Sequence, residues 1–231
     1  MAVALALPLI EALALSGCPP TTEEPPNPPP ACTLAFLGDK SQPVQLEITA
    51  RDVKGHAVPV KEGDDVAMIY PPQGGRVIFV GARVTNIDPC GVKLSGAIRD
   101  AITAQVRIDN RTVNLAIGEG GFGTAVDADI STFSNVPVCP NQWASDDVFG
   151  KTYELQVTVL DKAGRTATQK VKVVPRCAEP ERATECRCIC RKGYILGQVC
   201  APEVDAGADS DADPASDAAP DAPDADEGGG G

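Results

Sequence analysis

Histidine and tryptophan are almost missing from this chain. Its 231 residues hold one of each, and aromatic residues make up 4%. His56 is therefore the one histidine open to a hydrolase triad. It sits in Lys54-Gly55-His56-Ala57, a turn context without a Gly-x-Ser-x-Gly neighbour, and reads as an exposed loop residue. No C-x₂-C pair occurs, and His56 lies far from every cysteine, which argues against a zinc site. No cluster of Lys and Arg is present, so nucleic acid is excluded as a partner. Attraction to anionic lipid through a basic block is excluded on the same ground. No apolar run reaches the ~20 residues a spanning helix needs.

What is present is uneven. The net charge is -12, yet residues 201–231 carry ten acidic residues and no Lys or Arg. The other 200 residues hold 20 basic and 22 acidic groups and are close to neutral. Nine cysteines are many for a reducing compartment. Without Cys18 they number eight, enough for four disulfides among 105 connectivities.

Residues Ala2–Leu15 are nearly all Ala, Leu, Val and Ile, the length of a signal h-region. They run into Leu15-Ser16-Gly17-Cys18, which resembles the lipobox of bacterial lipoproteins at each of its four positions. Two features depart from that family's pattern: no Lys or Arg precedes the run, and Glu11 lies within it. The resemblance implies a signal peptide over residues 1–17 and a lipid, such as palmitate, on Cys18. In Gram-negative lipoproteins, Asp after the lipidated cysteine favours the inner membrane. Pro19 stands there, which implies the outer membrane. Pro19–Pro30 reads PPTTEEPPNPPP, seven prolines in twelve residues. Such a linker is expected to be extended, with a reach of roughly 35–40 Å.

Over residues 31–175 the apolar residues recur with period two. Val44, Leu46 and Ile48 alternate with polar residues, as do Ile102, Ala104, Val106 and Ile108. Val113, Leu115 and Ile117 follow. Tyr153, Leu155, Val157 and Val159 form another set, and Val171 and Val173 the last. Alternation sends one set toward a core and the other toward water. Pro71–Gly75, Asp109-Asn110 and Asp161–Gly164 supply turn chemistry between these runs. No stretch shows sustained helical period. Eight or nine short strands predict an all-β sandwich.

Tyr153–Val174 resembles the final hairpin of immunoglobulin-like and related bacterial sandwich domains. Val66–Asp88 is similar to a domain recurring in secreted bacterial lipoproteins. The predicted fold is an immunoglobulin-like antiparallel β-sandwich, although the Cys…Trp…Cys core of antibody domains is not evident.

Cys177, Cys186, Cys188, Cys190 and Cys200 crowd residues 176–200. This segment reads as a disulfide-stapled cap. In an extended segment, cysteines two apart point to opposite faces, so 186, 188 and 190 are expected to pair outward and not with one another. Five cysteines cannot all pair locally, so at least one must reach Cys32, Cys90 or Cys139. Cys188-Ile-Cys190-Arg-Lys-Gly193-Tyr194…Cys200 is similar to the end of an EGF-like module, and that resemblance implies a Cys190–Cys200 bond. A Cys90–Cys139 bond is expected within the sandwich.

Residues 201–231 are mostly Asp, Ala, Pro, Gly and Ser, a composition that predicts disorder. Asp209-Ser-Asp211-Ala-Asp213 begins like a calcium loop but meets Pro214 and Pro220 where Gly and Glu are required. Gly118-Glu-Gly120-Gly121-Phe-Gly123 matches G-x-G-x-x-G, yet no helix pattern follows to receive a phosphate, so it reads as a glycine loop. The pairs Asp64-Asp65, Asp127/Asp129 and Asp146-Asp147 are expected to face water. Trp143 is the one candidate for a sugar-stacking ring, with packing beside Cys139 as the plainer role.

These features predict a non-enzymatic, membrane-anchored lipoprotein with no cofactor and no metal. Its role would be surface interaction, with a protein or glycan partner, or envelope structure. The alternative is a secreted glycan- or protein-binding module.

Overall fold

The computed structural model describes residues 32–200, and the fold below is that of the compact unit beginning at Thr33. Cys18, the proline-rich linker and the acidic tail lie outside the described residues.

The fold is all-β, with eleven strands and one short helix among the described residues. In chain order the strands are β1 (Gln45–Arg51), β2 (Ala57–Pro59), β3 (Asp65–Met68), β4 (Arg76–Thr85), β5 (Val92–Arg99) and β6 (Val106–Val113). Then come β7 (Ala116–Ile117), β8 (Gly123–Thr124), β9 (Ser134–Cys139), β10 (Tyr153–Leu160) and β11 (Thr166–Cys177), followed by α1 (Ala183–Cys190). One sheet has the order β2-β1-β4-β8-β7, with β9 also paired to β4; the other runs β3-β11-β10-β5-β6. All pairings are antiparallel except β3 with β11, which is parallel. That pairing departs from the all-antiparallel expectation.

The core follows from period-two alternation. On β10, Tyr153, Leu155, Val157 and Val159 are buried, while Glu154, Gln156 and Thr158 face outward. Each fully buried apolar side chain contributes roughly 1.5–3 kcal/mol. β4 is different, being buried on both faces, and its sequence RVIFVGARVT is accordingly a near-continuous apolar run. Ile78, Val80, Ala82 and Val84 enter the main core. Val77 and Phe79 join a second cluster with Ile69, Ala125 and Phe133 on the other face.

Two glycines permit close approach. A Cβ on Gly81 would lie 2.7 Å from Thr49 Oγ1 and 3.1 Å from a Phe133 ring carbon. One on Gly96 would lie 2.7 Å from Ser134 Oγ, where β9 crosses β5.

Two expectations fail at β6. Asp109-Asn110 is not a turn; it lies mid-strand. The row Ile102, Val106 and Ile108 does not face the core but is 81%, 37% and 53% exposed. The reason is the neighbour on the inner side. Asp109 faces inward and its carboxylate accepts the Asn135 N–H of β9 at 2.9 Å. Its carbonyl accepts the Ser134 hydroxyl at 2.9 Å. A polar inner contact turns the apolar row outward. Ile117 is exposed as well, whereas Val113 and Leu115 are buried as expected.

The cysteine segment is helical, not extended. On α1, Cys186, Ile189 and Cys190 are buried at i, i+3 and i+4, one face of a helix. They pack into the same core as the sandwich. Asn141 N–H and Val148 N–H donate to the Ile189 and Cys190 carbonyls at 2.8 and 2.9 Å, satisfying acceptors that a helix end leaves open.

Candidate functional site

The end of the sandwich that α1 closes brings together the disulfides and the buried Arg76, Asp100 and Asn141. Its disulfides are Cys139–Cys190, Cys177–Cys186 and Cys188–Cys200. The expected Cys190–Cys200 and Cys90–Cys139 bonds are therefore corrected. Helical geometry explains the change. Cys186 and Cys190 share the buried face and turn toward β11 and β9, while Cys188 points off that face and reaches Cys200. Cys186, Cys188 and Cys190 do each pair elsewhere, and Cys190 reaches Cys139. Cys32 and Cys90 are disulfide-bonded too.

The sulfurs of Cys177, Cys186 and Cys190 lie within 4.8 Å of one another. Each is consumed in a disulfide, so none offers a thiolate to a metal. Among the described residues no other cluster of three His, Cys, Asp or Glu ligand atoms converges.

Arg76 fastens the cap to the sheet. Its side chain is fully buried at the start of β4 and donates to the Gly75 and Arg182 carbonyls at 2.8 and 3.1 Å. It pairs with Glu185 of α1 at 3.2 Å. Tyr70 takes the Arg76 and Arg182 guanidinium groups over its ring at 5.1 and 3.9 Å.

Trp143 is 5% exposed. Its indole N–H donates to the Val138 carbonyl at 2.8 Å, and its ring meets Tyr153 at 5.6 Å. A buried ring offers no face to a sugar; it packs beside the Cys139 bond. Next to it, Asp100 is buried at the end of β5. Burial opposes its charge. Hydrogen bonds from the Ser145 N–H, Ile102 N–H, Ser145 hydroxyl and Thr103 N–H outweigh that, holding the carboxyl at about 2, below the usual 3.8. The Tyr153 hydroxyl donates to the Asp147 carbonyl at 2.9 Å. Burial, then the charges of Asp100, Asp146 and Asp147, push this phenol well above its usual 10.0. These bonds hold the loop over residues 141–147 against the strands.

The other candidates separate in space. His56 is exposed, 3.8 Å from Asp52 in its own turn. Asp64 accepts the Lys61 N–H, Asp65 pairs with Arg176 at 2.9 Å, and Asp127 accepts the Ala57 N–H. Asp129 caps a short 3-10 turn, Asp146 pairs with Lys151 at 3.4 Å, and Asp147 accepts the Lys192 N–H. Gly118–Gly123 forms a turn between β7 and β8, without a following helix. On the side opposite β6, a cleft of about 280 Å³ opens between β2 and β3. Val58, Val60, Val66 and Ala178 line it, with Arg51, Asp65 and Arg176 at the polar positions. Arg76, Asp100 and this cleft were not legible in the sequence. A lone Arg or Asp in a strand carries no signal of burial, and the cleft joins segments more than 100 residues apart.

No family model, curated protein or solved structure matches the chain. The class that the fold defines is an all-β domain with a disulfide-bonded C-terminal cap.

Proposed function

We propose that this protein is a non-enzymatic, lipid-anchored envelope protein, held at the outer membrane through Cys18, with an interaction or structural role at the surface. The observation that carries the reading is the fate of the cysteines. All eight that follow Cys18 are disulfide-bonded. Cys18 thus stands apart from the bonded set, at the one position of a lipobox where a diacylglycerol is attached. A proline-rich segment follows at once and gives a folded domain clearance from the headgroups. The polar side chains at the capped end are spent on holding it, which supports a binding or structural role over catalysis.

The experiment is labelling with a radioactive fatty acid in a Gram-negative host, followed by fractionation. The intact chain is expected to take up label and sediment with outer membranes, and Cys18→Ser to lose both. Equal labelling of the two chains would overturn the proposal.

A further inference from the structure

β6 is the last strand of its sheet and pairs only with β5 among the described residues. Ser134 Oγ accepts the Gly96 N–H at 3.1 Å and donates to the Asp109 carbonyl at 2.9 Å. One hydroxyl reaches both only if these two backbone groups face each other across the β5–β6 pair. The backbone of Asp109 and its odd-numbered neighbours therefore points to β5. That of Val106, Ile108, Asn110 and Thr112 points to the free edge, because antiparallel residues alternate in this way. The same even-numbered residues carry the exposed apolar row. A free edge beside outward-facing Val and Ile is a template for another strand.

The charges on the strand select which strand. Arg107 has no carboxylate partner among the described residues; its guanidinium lies over the Trp143 ring, 6.0 Å from the centroid, and lines a recess with Pro137, Gln142 and Leu196. Asp109 accepts from Asn135 N–H at 2.9 Å and pairs with Arg111 Nε at 2.8 Å, both through Oδ2; its Oδ1 accepts no hydrogen bond among the described residues. We propose that β6 is a self-association surface. Two copies of the chain pair antiparallel about a two-fold axis, with Ile108 opposite the partner's Ile108 and Arg107 opposite the partner's Asp109.

This register satisfies three conditions together. The backbone groups of Val106, Ile108 and Asn110 meet their counterparts as a ladder. Ile108 stacks on its copy, with both Val106 side chains on the same face. Arg107 and the partner's Asp109 form a non-hydrogen-bonded pair, the kind in which side chains lie closest. Neighbouring registers with the same backbone parity do worse. Moving the axis to Asp109 places Asp109 against Asp109 and Arg107 against Arg111. Moving it to Asn110 matches Asp109 with Arg111 but leaves Arg107 opposite Val113 and separates the two Ile108 side chains. Inward charges on an edge strand guard against indiscriminate pairing; here they leave one self-complementary alignment.

The test uses the full chain carrying Cys18→Ser, so that no lipid brings copies together. Sedimentation velocity is expected to show a concentration-dependent monomer–dimer equilibrium. Arg107→Asp and Ile108→Lys, each with an unchanged thermal transition, are expected to weaken association by about tenfold or more. Amide exchange at Val106, Ile108 and Asn110 is expected to slow as concentration rises, a readout that needs no variant. A chain that stays monomeric at every concentration, a dimer indifferent to both substitutions, or exchange at Val106, Ile108 and Asn110 independent of concentration would each overturn the proposal.

Discussion

Arg76 and Asp100 are charged residues with almost no access to water, and each is held by hydrogen bonds. Arg76→Ala removes a large buried side chain and its bonds to the Arg182 carbonyl and Glu185. The expected loss is about 3 kcal/mol, measured by denaturant unfolding. For Asp100 the sign follows from its direction. Its folded carboxyl sits at about 2, below the 3.8 of the unfolded chain. The stability it supplies is present above about pH 4 and is lost as pH falls toward 2. At about 1.4 kcal/mol per tenfold, it amounts to roughly 2 kcal/mol. Asp100→Asn should flatten the stability curve between pH 4 and 2; an unchanged slope would count against this account. Trp143→Ala should cost about 3–5 kcal/mol, as loss of a buried ring does. Its readout is the unfolding midpoint, not sugar affinity.

At the scale of elements, the cap is the part whose stability rests on staples. Cys139–Cys190 closes a loop of 51 residues and Cys177–Cys186 one of 9. The chain-entropy relation gives about 4 kcal/mol for the first and about 3 for the second. Replacing each pair by serine should therefore lower the urea midpoint in that order. The reverse order would mean that loop closure is not the dominant effect. Gly96→Val forces β9 away from β5, because the new side chain would overlap Ser134 and Val136. A lower melting temperature is expected, with far-ultraviolet dichroism still showing sheet.

For the whole molecule, the proposed lipid anchor predicts that attachment and folding are separable. Cys18 lies outside the described unit, and the eight other cysteines are already bonded. Cys18→Ser should leave the thermal transition of the domain where it is, while abolishing membrane attachment. A drop in melting temperature would show that Cys18 contributes to the fold. Were the chain anchored as proposed, self-association through β6 would act on molecules confined to one surface, where a weak edge contact gains from high local concentration.

The residues alone determined the all-β class. Alternation of period two places apolar side chains on one side of a strand whatever its neighbours are, as on β10 and the end of β11. They also marked the last hairpin turn at Asp161–Gly164, where Gly164 adopts φ 85° as the turn requires. What they left open needed partners in three dimensions. Alternation on β6 says that two faces differ, not which one meets the core; Ser134 and Asn135, on a strand of the other sheet, decide that. Cysteines spaced by two fit a strand or a helix equally in local terms, and Ile189 between them completes a helical face only once there is a core for it to enter. Disulfide pairing depends on which sulfurs that face delivers to β9 and β11. Sequence patterns are local, and the energies that chose among them come from contacts between segments far apart in the chain.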